Sequence, residues 1–131
     1  METCFVESPS VLEPQGCIIG GTALLRLLVK TGEYIYVRPN DILMTESCDH
    51  MVKLHIAYAC KYKKALRHDT LKGFLLQLPL NQFVRVGRFC AVNTHRLTGG
   101  SYNGQYFEFD FAFVIKTEHP LAHSVFTNIG Q

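Results

Sequence analysis

The sequence predicts a mainly β domain with one short amphipathic helix. Most of the chain alternates apolar and polar residues with period two, and one segment alone departs to a period near 3.6. Length adds a third constraint. The 131 residues hold one domain of ordinary size, and 47% hydrophobic against 18% charged residues is too apolar for a disordered chain. We divide the chain into an N-terminal arm or extension at 1–22 and a folded domain at 23–131.

In chain order, GCIIGGT (16–22) is glycine-rich, but no Lys follows the glycines and no long helical pattern comes after, so it reads as a turn before a strand rather than a phosphate loop. ALLRLLV (23–29) is interrupted by Arg26 and is far short of the ~20 residues a membrane helix needs. TGEYIYVR (31–38) alternates Tyr34 and Tyr36 with Ile35 and Val37, and Pro39-Asn40-Asp41 turns it. DILMTES (41–47) and MVKLHIAY (51–58), matched in length around a polar Cys48-Asp49-His50 tip, predict an antiparallel hairpin over 41–58.

DTLKGFLLQLP (69–79) places Leu71, Phe74, Leu75 and Leu78 at helical spacing, with Asp69 as N-cap and Pro79 as stop. Its leucine stripe is core. Strands resume at QFVRVGRFCAVN (82–93). GGSYNG (99–104) forms a turn, and QYFEFDFAFVI (105–115) alternates again with Phe107, Phe109, Phe111 and Phe113 on one face, a core ladder. HPLAHSVF (119–126) is too short to assign.

Charge is distributed unevenly. Residues 1–52 carry three basic and seven acidic side chains, a net of −4; residues 53–96 carry nine basic against Asp69 alone, a net of +8; residues 97–131 carry Lys116 against three acids, a net of −2. The middle block fits either a nucleic-acid or other anionic-surface footprint, or a solvated lysine loop at 61–64. The acidic N-terminus lacks a signal-peptide pattern. The five cysteines, scattered and odd in number, fit a reduced compartment, so a cytoplasmic location is expected.

Chemistry candidates are sparse. Cys48, His50, His55 and Cys60 lack metal-ligand spacing, so no metal is expected, and nothing calls for a cofactor. Cys90 and His95 lack a nucleophile context, and Glu108 with Asp110 reads as the wet side of the Phe ladder, so no enzyme is expected. Binding remains. Arg85, Arg88, Asn93, His95 and Arg96 form an acid-free donor run, and Gly87 permits a turn that sets Arg88 at an exposed tip.

FVRVGRFCAVNTHRL (83–97) resembles the LytTR-type DNA-binding domain of bacterial transcription regulators, whose signature runs roughly F-x-R-x-H-R-S-[YF]-x-V-N. Phe83, Arg85, Arg88, Val92 and Asn93 stand in matching places. The element order (hairpin, basic strand KKALRH, short helix, signature, glycine turn, closing strand) extends the resemblance over about 31–127. It implies antiparallel strands in stacked small sheets with one short helix, whose loops and strand ends enter successive grooves of double-stranded DNA. His50, Lys53, Arg88 and His123 would then contact bases, while Arg85, Lys61, Lys63, Lys64, Arg96 and Ser124 would contact phosphates. Asn93 and Gly87 would be structural.

Three positions depart from the family pattern. Gly87 replaces His, Phe89 replaces a phosphate-contacting Ser, and Ala122-His123 replaces Ser-Arg. The resemblance also implies a homodimer on paired half-sites. A phospho-accepting receiver domain often precedes this module, and residues 1–30 are too few for one, so a separate signalling protein, a ligand or expression level would supply the signal. The competing reading is a β-rich protein-interaction module without DNA binding, which Gly87, Phe89 and His123 favour.

Overall fold

The computed structural model describes residues 24–130. The 1–22 arm and the glycine-rich 16–22 segment lie outside the described residues. Strands β1 (Leu25–Lys30) and β2 (Glu33–Val37) form a hairpin, and a 3-10 turn at Pro39–Asp41 leads into β3 (Ile42–Cys48), β4 (Met51–Tyr58) and β5 (Lys61–His68). After helix α1 (Leu71–Leu75), β6 (Phe83–Val86) and β7 (Cys90–Asn93) complete a seven-stranded antiparallel sheet in the order β2-β1-β5-β4-β3-β7-β6. Strands β8 (Leu97–Ser101), β9 (Tyr106–Phe109) and β10 (Phe113–Lys116) form a second, three-stranded sheet, and α2 (His123–Asn128) closes the described chain.

The large sheet is covered on both faces, which explains the composition of β3. Its Ile42, Leu43, Met44, Thr45 and Glu46 are all buried, as expected for a strand packed from two sides. Ile42 joins Leu27, Val52, Leu54, Ile56 and the helical Leu71 and Phe74 in one core, while Leu43 and Met44 join Val92, Phe107, Phe109 and Ile115 in the other. Full burial of a side chain such as Phe74 contributes ~1.5–3 kcal/mol.

The expected hairpin at 41–58 is present, with Ser47 opposite Val52 and Cys48 opposite Met51. The helix is shorter than the spacing suggests, and its cap is Thr70 rather than Asp69. The Gly73 N–H donates to Thr70 Oγ1 at 3.0 Å, whereas the Asp69 carboxylate accepts from Thr70 N and from Gln77 Nε2.

The turn expected at Gly87 is present: the 82–93 run reverses there, with Gly87 at φ +71°. One expected long strand is a hairpin. The 105–115 run reverses at Asp110 and Phe111, both at φ +56°. That second turn ejects Phe111 from the ladder to 83% exposure, while Phe107 and Phe109 stay buried. The glycine turn also begins later than expected, because Gly99 and Gly100 belong to β8. A Cβ on Gly100 would sit 3.3 Å from both Phe107 and Phe126, whose rings stack with centroids 4.9 Å apart. The unassigned 119–126 segment supplies the start of α2, so the described residues hold two short helices rather than one.

Candidate nucleic-acid interface

One end of the large sheet brings two chain reversals together. Ser47 N–H donates to Phe89 O at 2.8 Å, which sets the exposed Asp49-His50 tip of the β3–β4 hairpin beside the β6–β7 turn, Gly87-Arg88-Phe89. Glycine suits position 87 because its φ is in the left-handed region; a Cβ there would also lie 2.8 Å from Leu121 Cδ2, the tip of a side chain that would have to shift. Arg88 is exposed at the tip, as expected, with its guanidinium carbon 5.7 Å from the Phe89 ring centroid. Arg85 Nη2 donates to Arg88 O at 2.8 Å and so braces the turn.

Beside Arg88 lies an open cleft of about 490 Å³ lined by Ser47, Thr70, Lys72, Arg85, Arg88 and Phe89 among others, with no carboxylate in its wall. Lys72 is the residue missed by sequence reasoning. It sits on α1 away from the buried Leu71 and Phe74, and its signal was available as the one basic residue of an otherwise uncharged helix.

The 117–122 segment straps the small sheet to this end. Glu118 N–H donates to Glu46 Oε2 at 3.0 Å, the His119 ring stacks on Phe89 at 4.4 Å, and Leu121 packs over Gly87. Gln105 holds the strap from its other side, accepting from Leu121 N at 2.7 Å and donating to Leu121 O at 3.0 Å. His123 and Ser124 follow at the exposed start of α2, where Tyr102 meets the His123 ring edge-on at 5.1 Å.

The remaining candidates are placed differently. Lys53 has only 14% of its side chain exposed; it pairs with Glu118 and lies 3.9 Å from Glu46. Arg96 is saturated. Its Nε donates to both Asp110 oxygens at 3.2 and 3.1 Å, its Nη2 pairs with Asp110, and its Nη1 reaches Asn40 O at 3.0 Å and Ala57 O at 2.9 Å. Lys61, Lys63 and Lys64 are exposed on β5. Lys61 pairs with Tyr58 at the far end of β4, roughly 24 Å along the strand from Met51. The run is also split between two clefts: Lys64 lines one with Lys53 and Tyr62, and Lys61 and Lys63 line the other with Tyr36.

Asn93 is fully buried. Its Nδ2 donates to Ile42 O at 2.9 Å, and its Oδ1 accepts the His95 N–H at 2.9 Å, tying the chain between β7 and β8 to β3. His95 itself is exposed. Cys90, at the opposite end of β7, is buried, and burial followed by the charge of nearby Glu46 pushes its thiol well above the usual range. That is the reverse of an activated nucleophile. Glu46 also holds His55, with Nε2 to Oε1 at 2.9 Å, and the other ring nitrogen meets Tyr62 Oη. Burial, then Glu46, raises the Tyr62 phenol.

The family model of the LytTr DNA-binding domain matches residues 32–107, more than half of the chain. The chain belongs to the LytTr DNA-binding domain family. The matched stretch of this LytTr domain contains His50, Lys53, Lys72, Arg85 and Arg88, whereas His123 and Ser124 lie beyond it. Among solved structures the LytTr domain is similar to a Bacillus cereus chain described as the LytTr DNA-binding domain of a response regulator, at 17% identity and a TM-score of 0.55. That likeness covers 70% of this chain and 83% of the other, and supports the fold. No curated protein matches the sequence. Among the described residues no helix is long and apolar enough to cross a membrane, and no cluster of His, Cys, Asp and Glu has the geometry of a metal site.

Proposed function

We propose that this LytTr domain is the DNA-binding element of a bacterial transcription regulator acting in the cytoplasm, that it reads double-stranded DNA sequence-specifically, and that it performs no chemical step. The observation that carries the reading is the acid-free basic cleft at one end of the sheet, with Arg88 projecting from a glycine-bent turn beside it. A guanidinium on a narrow exposed tip can enter the major groove and bond a guanine edge through two N–H groups. His50 and His123 extend base contacts to either side. Histidine is shorter than arginine and lacks its planar fork of donors, so its contribution there is smaller.

Arg85 and Lys72 hold phosphates beside Arg88, fixing register without sequence information, and Ser124 does the same beside His123. Lys61, Lys63 and Lys64 lie too far from Arg88 to share its groove crossing, and act by raising the attraction between protein and duplex at a distance. Lys53 and Arg96, engaged within the protein, serve to position the strap and the small sheet. A homodimer on paired half-sites and a signal from a separate protein complete the reading.

Fluorescence anisotropy of a mixed-sequence duplex pool at several salt concentrations tests it. A log–log slope of roughly −3 or steeper is expected, and selection from the same pool returns a preferred sequence. Arg88→Ala lowers affinity for that sequence by ~1–3 kcal/mol and relaxes the preference at one base pair. Absence of binding at about 50 mM salt would favour the protein-interaction reading instead.

A further inference from the structure

The Tyr58 end of the sheet carries a second groove, of about 460 Å³, lined by Ile35, Tyr36, Arg38, Tyr58, Lys61 and Lys63 among others. Tyr36 and Tyr58 are 61% and 66% exposed, so the floor offers two aromatic rings to any occupant. The rim is cationic. The acid of this groove, Asp41, already accepts the Arg38 backbone N–H at 3.0 Å. The side chains of Arg38, Lys61 and Lys63 pair with no carboxylate among the described residues. This groove lies at the opposite end of β4 from Arg88, so its occupant does not compete for the groove crossing at Arg88.

We propose that the groove is the docking site of this chain's own acidic N-terminal segment, residues 1–23. Charge is the first argument. The segment carries Glu2, Glu7 and Glu13 and no Lys, Arg or His, against three unpaired cations on the rim. Composition is the second, since Phe5, Val6, Val11 and Leu12 lie between and beside those glutamates and supply apolar groups for the tyrosine floor.

The third argument is where the segment joins the domain. Leu25 is the register partner of Val37, a groove residue, so the segment joins the domain one strand away from the groove, where Leu24 and Leu25 line the neighbouring cleft with Arg67 and Gln77. Twenty-three residues span up to roughly 75 Å when extended, far more than the groove requires. A tether of this kind also holds its segment at roughly millimolar effective concentration, so contacts too weak to bind a free peptide suffice.

The cysteines make the proposal testable in the full chain. Cys60 is free and exposed next to Lys61, while Cys4 and Cys17 lie in the segment. Treated with a short bis-maleimide in low salt, the protein should link Cys60 to Cys4 or Cys17 within one chain, in preference to Cys48 at the other end of the sheet. Lys61→Glu with Lys63→Glu, both exposed and harmless to folding, should lower the Cys60 link roughly tenfold, given the worth of exposed ion pairs. Glu2→Gln, Glu7→Gln and Glu13→Gln together should do the same.

Equal yields in the charge-reversed and native proteins would overturn the proposal, since the link would then report only tether collisions. Links between two chains would replace it with docking of a second copy's segment. No Cys60 link at all would leave the groove to an acidic segment of another protein.

Discussion

Replacing Arg96 separates a structural cation from a DNA-contacting one. Its guanidinium joins three parts of the chain: Asp110 in the β9–β10 turn, Asn40 in the 3-10 turn and Ala57 on β4. Arg96→Ala removes a donor from the Ala57 carbonyl on a buried strand residue, a loss of ~1–3 kcal/mol. Asn40 is exposed, so water replaces the donor to its carbonyl at little cost. Asp110 keeps about a third of its side chain exposed, 32%, and the ion pair is discounted for that screening to ~0.5–1 kcal/mol. The sum is ~1.5–4 kcal/mol, which for a domain of this size lowers the melting midpoint by roughly 10 °C. Arg96→Lys should recover little of this, because one ammonium cannot reach three acceptors held by a planar fork. With four of its five donors already engaged, Arg96 has little to offer a phosphate. Below the variant's melting range, the salt dependence of DNA binding should therefore match that of the native protein. A melting midpoint within about 2 °C of native, together with a log–log salt slope shallower by about one, would refute this reasoning and return Arg96 to the phosphate contacts.

Gly87→Ala forces a Cβ into a left-handed backbone and against Leu121, and should cost ~1–2 kcal/mol in chemical denaturation while weakening DNA binding through the Arg88 turn; native stability would mean that the turn relaxes freely. Phe89→Ser removes the ring that supports both His119 and the Arg88 guanidinium, and supplies the hydroxyl that the signature resembled here implies. Binding to the selected sequence should fall while binding to random duplex holds or rises, and a parallel rise in both would show that the stacking is idle. Cys90 and Tyr62 both have their acid groups raised in the folded protein. The unfolded chain therefore loses those protons first, so their contribution is complete below about pH 8.5 and declines as pH rises beyond it. The melting midpoint should fall above that pH, and Cys90→Ala with Tyr62→Phe should flatten the decline. In the same pH range a thiol reagent should label Cys60 well before Cys90.

The strands were legible because alternation survives in sequence, and the Gly87 turn because glycine marks it. The turn at Asp110–Phe111 was hidden for a physical reason. A tight reversal at residues with side chains leaves the period-two pattern unbroken across it, so two strands read as one ladder. Asp tolerates the left-handed region better than most residues, yet nothing local distinguishes this Asp from one on a strand face. The small helix α2 has no side-chain cap and only six residues, too few for periodicity to register. At the site, Arg88 was legible from its local setting, whereas the engagements of Arg96 and Lys53 depend on partners up to 65 residues away. Lys72 was overshadowed by the leucine stripe on the other side of its own helix.

Those distant partners also explain how a chain with Gly87 and Phe89, where the signature it resembles implies histidine and serine, can keep the turn in place. A histidine and a serine at those positions would hold the turn or the phosphate with polar groups. Here the same two positions face the strap: Gly87 makes room for Leu121, and Phe89 stacks on His119. The strap is itself anchored at a buried carboxylate, Glu46, which accepts from Glu118 N and His55 and lies within ion-pair range of Lys53. A charged group so deeply buried is tolerated only when its partners are in place, so Glu46 makes the position of the strap, and with it the Arg88 turn, a condition of folding. The two departures therefore need not signal a lost binding surface. They fit a surface whose geometry is set from behind by the small sheet, through apolar and aromatic contacts where the family pattern has polar ones.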